Sequence, residues 1–192
     1  MIQHINQYGG TYMQTKAPSI LIKQGRTKWA GLFKRIFDEL KLERFPRYKD
    51  CSIVKEWMNR ETFVDWYTSQ PFTDPTYQLD KDIILKGNTI YSPEMCSLVP
   101  PAINYFFTKT NASRGRYPIG VTFHTGNNRF RSYIKIDGIK TILGYYKTPE
   151  EAFFKYKKAK EFQSKILADR WKDRLDPRVY DAMIRYTVAI TD

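Results

Sequence analysis

Two groups of side chains in this 192-residue sequence have the types and spacing to do chemistry. The first lies between Tyr77 and Asn104. Asp80 and Asp82 are two residues apart on a short acidic strand, a spacing that points both carboxylates to one side. Carboxylates converging beside a turn can hold a hard divalent cation, and the same pair can equally be a solvated strand end. The second group is the run Arg129 to Ile136. Its alternation puts Arg129, Arg131, Tyr133 and Lys135 on one face and Phe130, Ser132, Ile134 and Ile136 on the other. A basic strand face of this kind suits phosphate contacts and fits the major groove of DNA, or is simply the solvated side of a sheet.

The elements that must position these groups follow from local signals. Gly87-Asn88, between two apolar runs, predicts a tight hairpin turn after the acidic strand. Ser92-Pro93-Glu94 predicts a helix start, with a hydroxyl cap and proline in the first turn. Further on, Ile119–Phe123, Arg129–Ile136 and Lys140–Tyr145 read as three strands, the last two joined by an Asp137-Gly138 turn. Thr148-Pro149-Glu150-Glu151 then predicts a capping box opening a long helix. Ala152, Tyr156, Ala159, Phe162, Ile166 and Leu167 would line its inner face.

Upstream, Trp29, Leu32, Phe33, Ile36, Phe37 and Leu40 recur at helical spacing, predicting a helix over 27–42, and Asn59 caps a second one. The expected organisation is a flexible arm at 1–26, a helical and ββα region at 27–107 and a linker at 108–116. A sheet-and-helix domain at 117–175 and a final helix at 176–192 complete it.

Composition narrows the partners. A formal charge of +12 with 42% hydrophobic and 16% aromatic residues predicts a packed protein that meets a polyanion, nucleic acid first. No apolar run approaches a membrane span, and the N-terminus has no charged-then-apolar signal pattern, so a cytoplasmic protein without membrane contact is expected. Cys51 and Cys96 are too far apart for a zinc knuckle and read as buried apolar side chains.

The stretch Leu79-Asp80-Lys81, Gly87-Asn88, Tyr91-Ser92-Pro93-Glu94-Met95-Cys96 resembles the HNH (ββα-metal) homing endonucleases of phages. In that family a strand Asp and a helix-side Asn or His bind one metal, Mg2+ or another divalent ion. A His beside the Asp deprotonates the attacking water. The resemblance implies Asp80 as metal ligand, with Asp82 or Asn104 as second ligand. Lys81 falls where the family has its base His, and Met95 where it has its metal Asn. An ordinary lysine is a poor base at neutral pH but can neutralise a phosphate. Asp80, Lys81 and Asn104 are therefore the expected catalytic set.

The order of three strands and a helix, with Gly120-Val121, Leu143-Gly144 and Thr148-Pro149-Glu150-Glu151-Ala152, resembles the AP2 DNA-binding domain that accompanies such nuclease cores. This resemblance implies double-stranded DNA as partner. It also implies DNA contacts from Thr122, His124, Arg131, Tyr133, Lys135, Lys140 and Ile142, beside Arg129 from the strand pattern. The expected fold is α+β: a helical N-terminal part, an HNH-like hairpin and helix, then a three-stranded antiparallel sheet on one helix. Two functions follow. One is a metal-dependent, sequence-preferring DNA endonuclease in the cytoplasm of an infected bacterial host. The other is a catalytically silent DNA-binding or host-interference protein, for which a host protein partner stays open.

Overall fold

In the computed structural model of the protein, the described residues are 18–108 and 116–192, with the backbone of two short strands, β1 (His4–Ile5) and β2 (Thr11–Tyr12). Most of the arm expected at 1–26 and of the linker at 108–116 lies outside them. The chain forms two compact units, Met1–Pro75 and Thr76–Asp192.

The first unit is helical. Helix α1 (Ser19–Phe37) begins eight residues before the expected Thr27, so the end of the supposed arm is helix. It stops at Asp38, whose carboxylate accepts from the Lys41 N–H at 3.2 Å and caps α2 (Glu39–Arg44). The single expected helix is therefore two. After the short β3 (Ser52–Ile53), Asn59 caps α3 (Arg60–Ser69) as predicted, accepting from the N–H groups of Glu61 and Thr62. Leu32, Trp57, Phe63 and Tyr67 are fully buried, and Trp57 lies 4.9 Å from the Phe63 ring and 4.6 Å from Trp66. The tryptophan-rich stripe is thus core.

The second unit is α+β. Strand β4 (Gln78–Asp80) pairs antiparallel with β6 (Ser97–Val99), register Leu79↔Leu98, and helix α4 (Pro101–Phe107) follows. This corrects the expected hairpin. Gly87 does take a left-handed φ of +83°, but its turn closes a loop and not a strand pair. The two-residue β5 (Ile90–Tyr91) beyond it does not pair with β4. Two causes divert the chain: the Asp80 side chain turns it immediately after β4, and Ile83 and Ile84 pack into a helical core instead of extending the strand. Ser92-Pro93-Glu94 likewise makes one turn, with Cys96 N–H on the Ser92 carbonyl at 2.9 Å, before the chain re-enters the sheet. The proline-started helix begins at Pro101.

Strands β7 (Val121–His124), β8 (Arg129–Ile136) and β9 (Ile139–Tyr146) form the three-stranded antiparallel sheet in sequential order. Asp137 and Gly138, at φ +50° and +83°, make the predicted β8–β9 turn. Helix α5 (Pro149–Trp171) opens with the predicted capping box: Glu151 N–H donates to Thr148 Oγ1 at 3.2 Å, and Thr148 N–H to Glu151 Oε2 at 3.3 Å.

Helix α5 serves two cores. Its first half buries Ala152, Phe153 and Tyr156 against Val121 and Ile134 of the sheet. Its second half buries Leu167 and Ala168 against Val99, Ile103 and the last helix, α6 (Pro177–Ile184), through Val179 and Met183. The inner face therefore differs from the expected stripe. Gln163 and Ser164 are buried while Phe162 and Ile166 face solvent. The strand–loop–strand–helix segment and the three-stranded sheet consequently belong to one unit.

Gly120, at φ +76°, lies flat on Tyr156; a Cβ there would sit 2.1 Å from the ring. Gly138 has a similar φ with open space around it. Gly120→Ala is expected to destabilise by about 3 kcal/mol or more, strain and overlap together. Gly138→Ala should cost only about 1 kcal/mol, from backbone strain alone. Urea denaturation of the two variants measures the difference.

Candidate nucleic-acid interface

Every outward-pointing residue of the sheet can be read from the strand register. His124 stands opposite Arg129, Arg131 between Thr122 and Tyr145, Tyr133 opposite Ile142, and Lys135 opposite Lys140. These rows form one face, and α5 covers the other. The structure thus brings all eight predicted DNA-contact residues, Thr122, His124, Arg129, Arg131, Tyr133, Lys135, Lys140 and Ile142, onto a single surface. Tyr145 joins them unpredicted. Simple alternation from Ile142 would place it on the helix side, but Leu143 is an extra residue between the pairs Ser132↔Gly144 and Tyr133↔Ile142. That bulge reverses the phase of β9, leaving Tyr145 exposed and turning Tyr146 toward the core. The only sequence signal for it was Gly144, which adopts φ +141°.

The face is patterned. Cations occupy its two ends, Arg129 at one and Lys135 with Lys140 at the other. The middle carries Thr122, Tyr133, Ile142 and Tyr145 around Arg131. Arg131 Nε donates to Thr122 Oγ1 at 3.3 Å, and the Lys140 ammonium sits 3.9 Å from the centre of the Tyr133 ring. His124 packs edge-on to Tyr145, 5.2 Å between centroids, and lies 3.1 Å from Asn127 Oδ1. No Asp or Glu occurs in β7, β8 or β9. Burial, and then the charge of Arg131, hold the Lys140 ammonium below the ordinary lysine range.

The charged residues around Asp80 are arranged differently. Asp80 Oδ1 accepts from the N–H groups of Asp82 and Ile83, both at 2.8 Å. Lys81 is buried, its ammonium donating to Asp82 Oδ1 and to the Asn88 carbonyl, each at 2.6 Å. The Asn88 amide donates to the carbonyls of Lys81 and Ile90, and its Oδ1 accepts from Ile90 N–H. Asn104, on α4, donates to Gln78 Oε1, two residues before Asp80 on the same face of β4. Asp82 is beyond the end of β4, so the two carboxylates do not share a strand face as expected.

A hard divalent ion needs several oxygens converging on one point. Here Asp80 Oδ1 is turned to backbone, Asp82 to Lys81, and the Asn104 amide donates to Gln78. Among the described residues, no three His, Cys, Asp or Glu side chains gather at one place. In this arrangement these side chains are engaged within the chain, the Lys81 ammonium by Asp82 Oδ1 and the Asn88 carbonyl. These residues fasten a loop. Arg178 fastens its far end, reaching the carbonyls of Glu94 at 2.7 Å and Cys96 at 3.3 Å while pairing with Asp176 at 2.6 Å. Cys51 and Cys96 are both buried, and burial pushes the Cys96 thiol up to about 12. No helix among the described residues is long and apolar enough to cross a membrane.

No family model, curated protein or solved structure matches the chain.

Burial, chiefly, and the Asp82 charge hold the Asp80 carboxyl above the usual carboxylate range, against the two backbone N–H groups and Lys81. A raised folded-state pKa means that ionising Asp80 subtracts stability. That penalty is absent below the ordinary carboxylate pKa of about 4 and complete above the raised value. Asp80→Asn keeps an acceptor for the two N–H groups. It is expected to match or exceed the parent at pH 7, its advantage shrinking as pH falls through that window. Asp80→Ala should lose about 2 kcal/mol through the orphaned N–H groups. Thermal melts of both variants from acid to neutral pH decide this.

Proposed function

We propose that this protein binds double-stranded DNA through the exposed face of β7–β9, and that the strand–loop–strand–helix segment serves it as scaffold. The observation that carries the reading is a sheet face with cations at both ends and no acidic residue in any of its three strands. A two- or three-stranded ribbon enters the major groove, about 12 Å wide, and the cationic ends are positioned for the phosphates on either side. The central Thr122, Tyr133, Ile142 and Tyr145 are then the residues that meet base edges. Sequence preference therefore resides there, and affinity in Arg129, Arg131, Lys135 and Lys140. The segment's resemblance to phage HNH proteins and the sheet's resemblance to AP2 domains agree with this assignment.

A second reading, a DNA endonuclease of the HNH type, is favoured by one feature. A half-buried carboxylate, Asp80, ends a strand that is followed by a loop, a paired strand and a helix. The binding reading is preferred because Asp80, Lys81 and Asp82 spend their charge on the loop itself.

Arg131→Ala and Lys140→Ala should each weaken binding to a mixed-sequence duplex about tenfold and reduce the slope of log K against log salt by about 1. Lys140→Ala should leave the melting temperature unchanged or raised, because it relieves crowding with Arg131. Fluorescence anisotropy over a salt series, beside thermal melts, tests both; unchanged affinity in the two variants would remove the sheet-face reading. Incubation of supercoiled plasmid with the protein and Mg2+ or Mn2+ should leave it intact. Nicking that needs the metal and disappears in Asp80→Asn would establish the endonuclease instead.

A further inference from the structure

Helix α4 carries an aromatic side chain that its own packing does not use. Asn104 turns to Gln78 on β4, Ile103 is fully buried, and Phe106 and Phe107 pack on the core shared with α5 and α6. The Lys160 ammonium donates to the Phe106 carbonyl and lies 3.3 Å from the centre of its ring, fixing the end of the helix. Between these anchored residues Tyr105 faces outward, 55% exposed. It is not isolated: the Lys135 ammonium of β8 lies 5.7 Å from the centre of its ring. Lys135 belongs to the cationic row at the hairpin end of the sheet face, opposite Lys140.

We infer that Tyr105 extends the DNA-contacting surface from the sheet onto α4, meeting the duplex beside the phosphate that Lys135 holds. The inference rests on the sheet-face reading and adds to it an element outside the three strands. From Arg129 to Lys135 the strand spans about 20 Å, enough for its two cationic ends to reach the phosphates on either side of the groove. The Tyr105 ring lies beside the Lys135 ammonium; its hydroxyl can donate to a phosphate oxygen while its face packs on a deoxyribose. Because the residues before and after it are fixed in the core, the ring is presented in place, and little freedom is lost on contact.

The test uses the full-length protein, a fluorescein-labelled duplex of mixed sequence, and the variants Tyr105→Ala, Tyr105→Phe and Arg131→Ala. Tyr105→Ala is expected to weaken binding roughly three- to tenfold. Tyr105→Phe should keep affinity within about twofold of the parent, since the ring supplies most of the contact. Hydroxyl-radical footprints should shorten at one end only in Tyr105→Ala. Melting temperatures should not change, because the side chain is exposed. If Arg131→Ala weakens binding while Tyr105→Ala leaves affinity and footprint unaltered, the inference fails and the sheet face stands. Should Tyr105→Ala lower the melting temperature without altering the footprint, Tyr105 is a structural cover for Lys135 and the inference is overturned. When neither Arg131→Ala nor Tyr105→Ala affects binding, the sheet-face reading falls, and this inference with it.

Discussion

Much of the Thr76–Asp192 unit depends on one helix closing two hydrophobic cores. At about 1.5 Å per residue, the 23 residues of α5 reach about 35 Å, far more than a three-stranded sheet needs to cover one face. The surplus passes beyond the sheet and becomes the floor on which Val99, Ile103, Val179 and Met183 pack. A small sheet and a short strand–loop–strand–helix segment each have too little surface to bury for independent stability. Sharing α5 lets each draw on the other's burial. It also fixes α4 relative to β8, which is why Tyr105 and Lys135 can be read as neighbours and not as residues of two separate domains.

The charged groups of this unit divide into those consumed by the fold and those left facing solvent. Asp80, Lys81, Asn88, Asp176 and Arg178 make hydrogen bonds that tie the chain between β4 and β6 to itself and to α6. A carboxylate already accepting two N–H bonds, or an ammonium held by a carboxylate and a carbonyl, stands at an energy minimum that a reaction would have to disturb. The sheet-face cations have no such sink. They are held near one another with no carboxylate in their strands, and Lys140 is pushed below its ordinary pKa partly by Arg131. A like-charged surface of this kind gains on meeting a polyanion, and the same field that crowds the free protein favours the bound one.

What the sequence revealed was what short-range physics decides. The Thr148 capping box, the Asn59 cap and the Asp137-Gly138 turn each depend on residues within four positions, and all three formed as read. The basic face of β8 was legible for the same reason, since alternation is a property of a single strand. Pairing was not legible. Gly87-Asn88 looks like a hairpin turn between apolar runs, yet Ile83 and Ile84 are more favourably placed in the α5–α6 core than in a strand. β4 accordingly pairs with Ser97–Val99. The α5 stripe was misjudged because a helix facing two cores follows neither one's periodicity, leaving Phe162 outside and Ser164 inside. The length of α1 was missed because its N-cap is Pro18, which offers no side-chain cap hydrogen bond to mark the start.

The bulge at Leu143 shows how a local irregularity can shape the whole face. Without it, β9 would alternate strictly from Ile142, placing Tyr145 over α5 and Tyr146 on the outer face. One extra residue sends Leu143 and Tyr146 inward and Tyr145 outward. The face thereby carries Tyr145 beside Arg131, while Tyr146 packs on the core. A charged centre would bind any phosphate backbone equally. An apolar and hydroxyl-bearing centre flanked by cations can contact thymine methyls and base edges once the ends are held by phosphates. The bulge therefore decides both the packing over α5 and the make-up of the outer face, because a single backbone insertion sets which side of the sheet each tyrosine occupies.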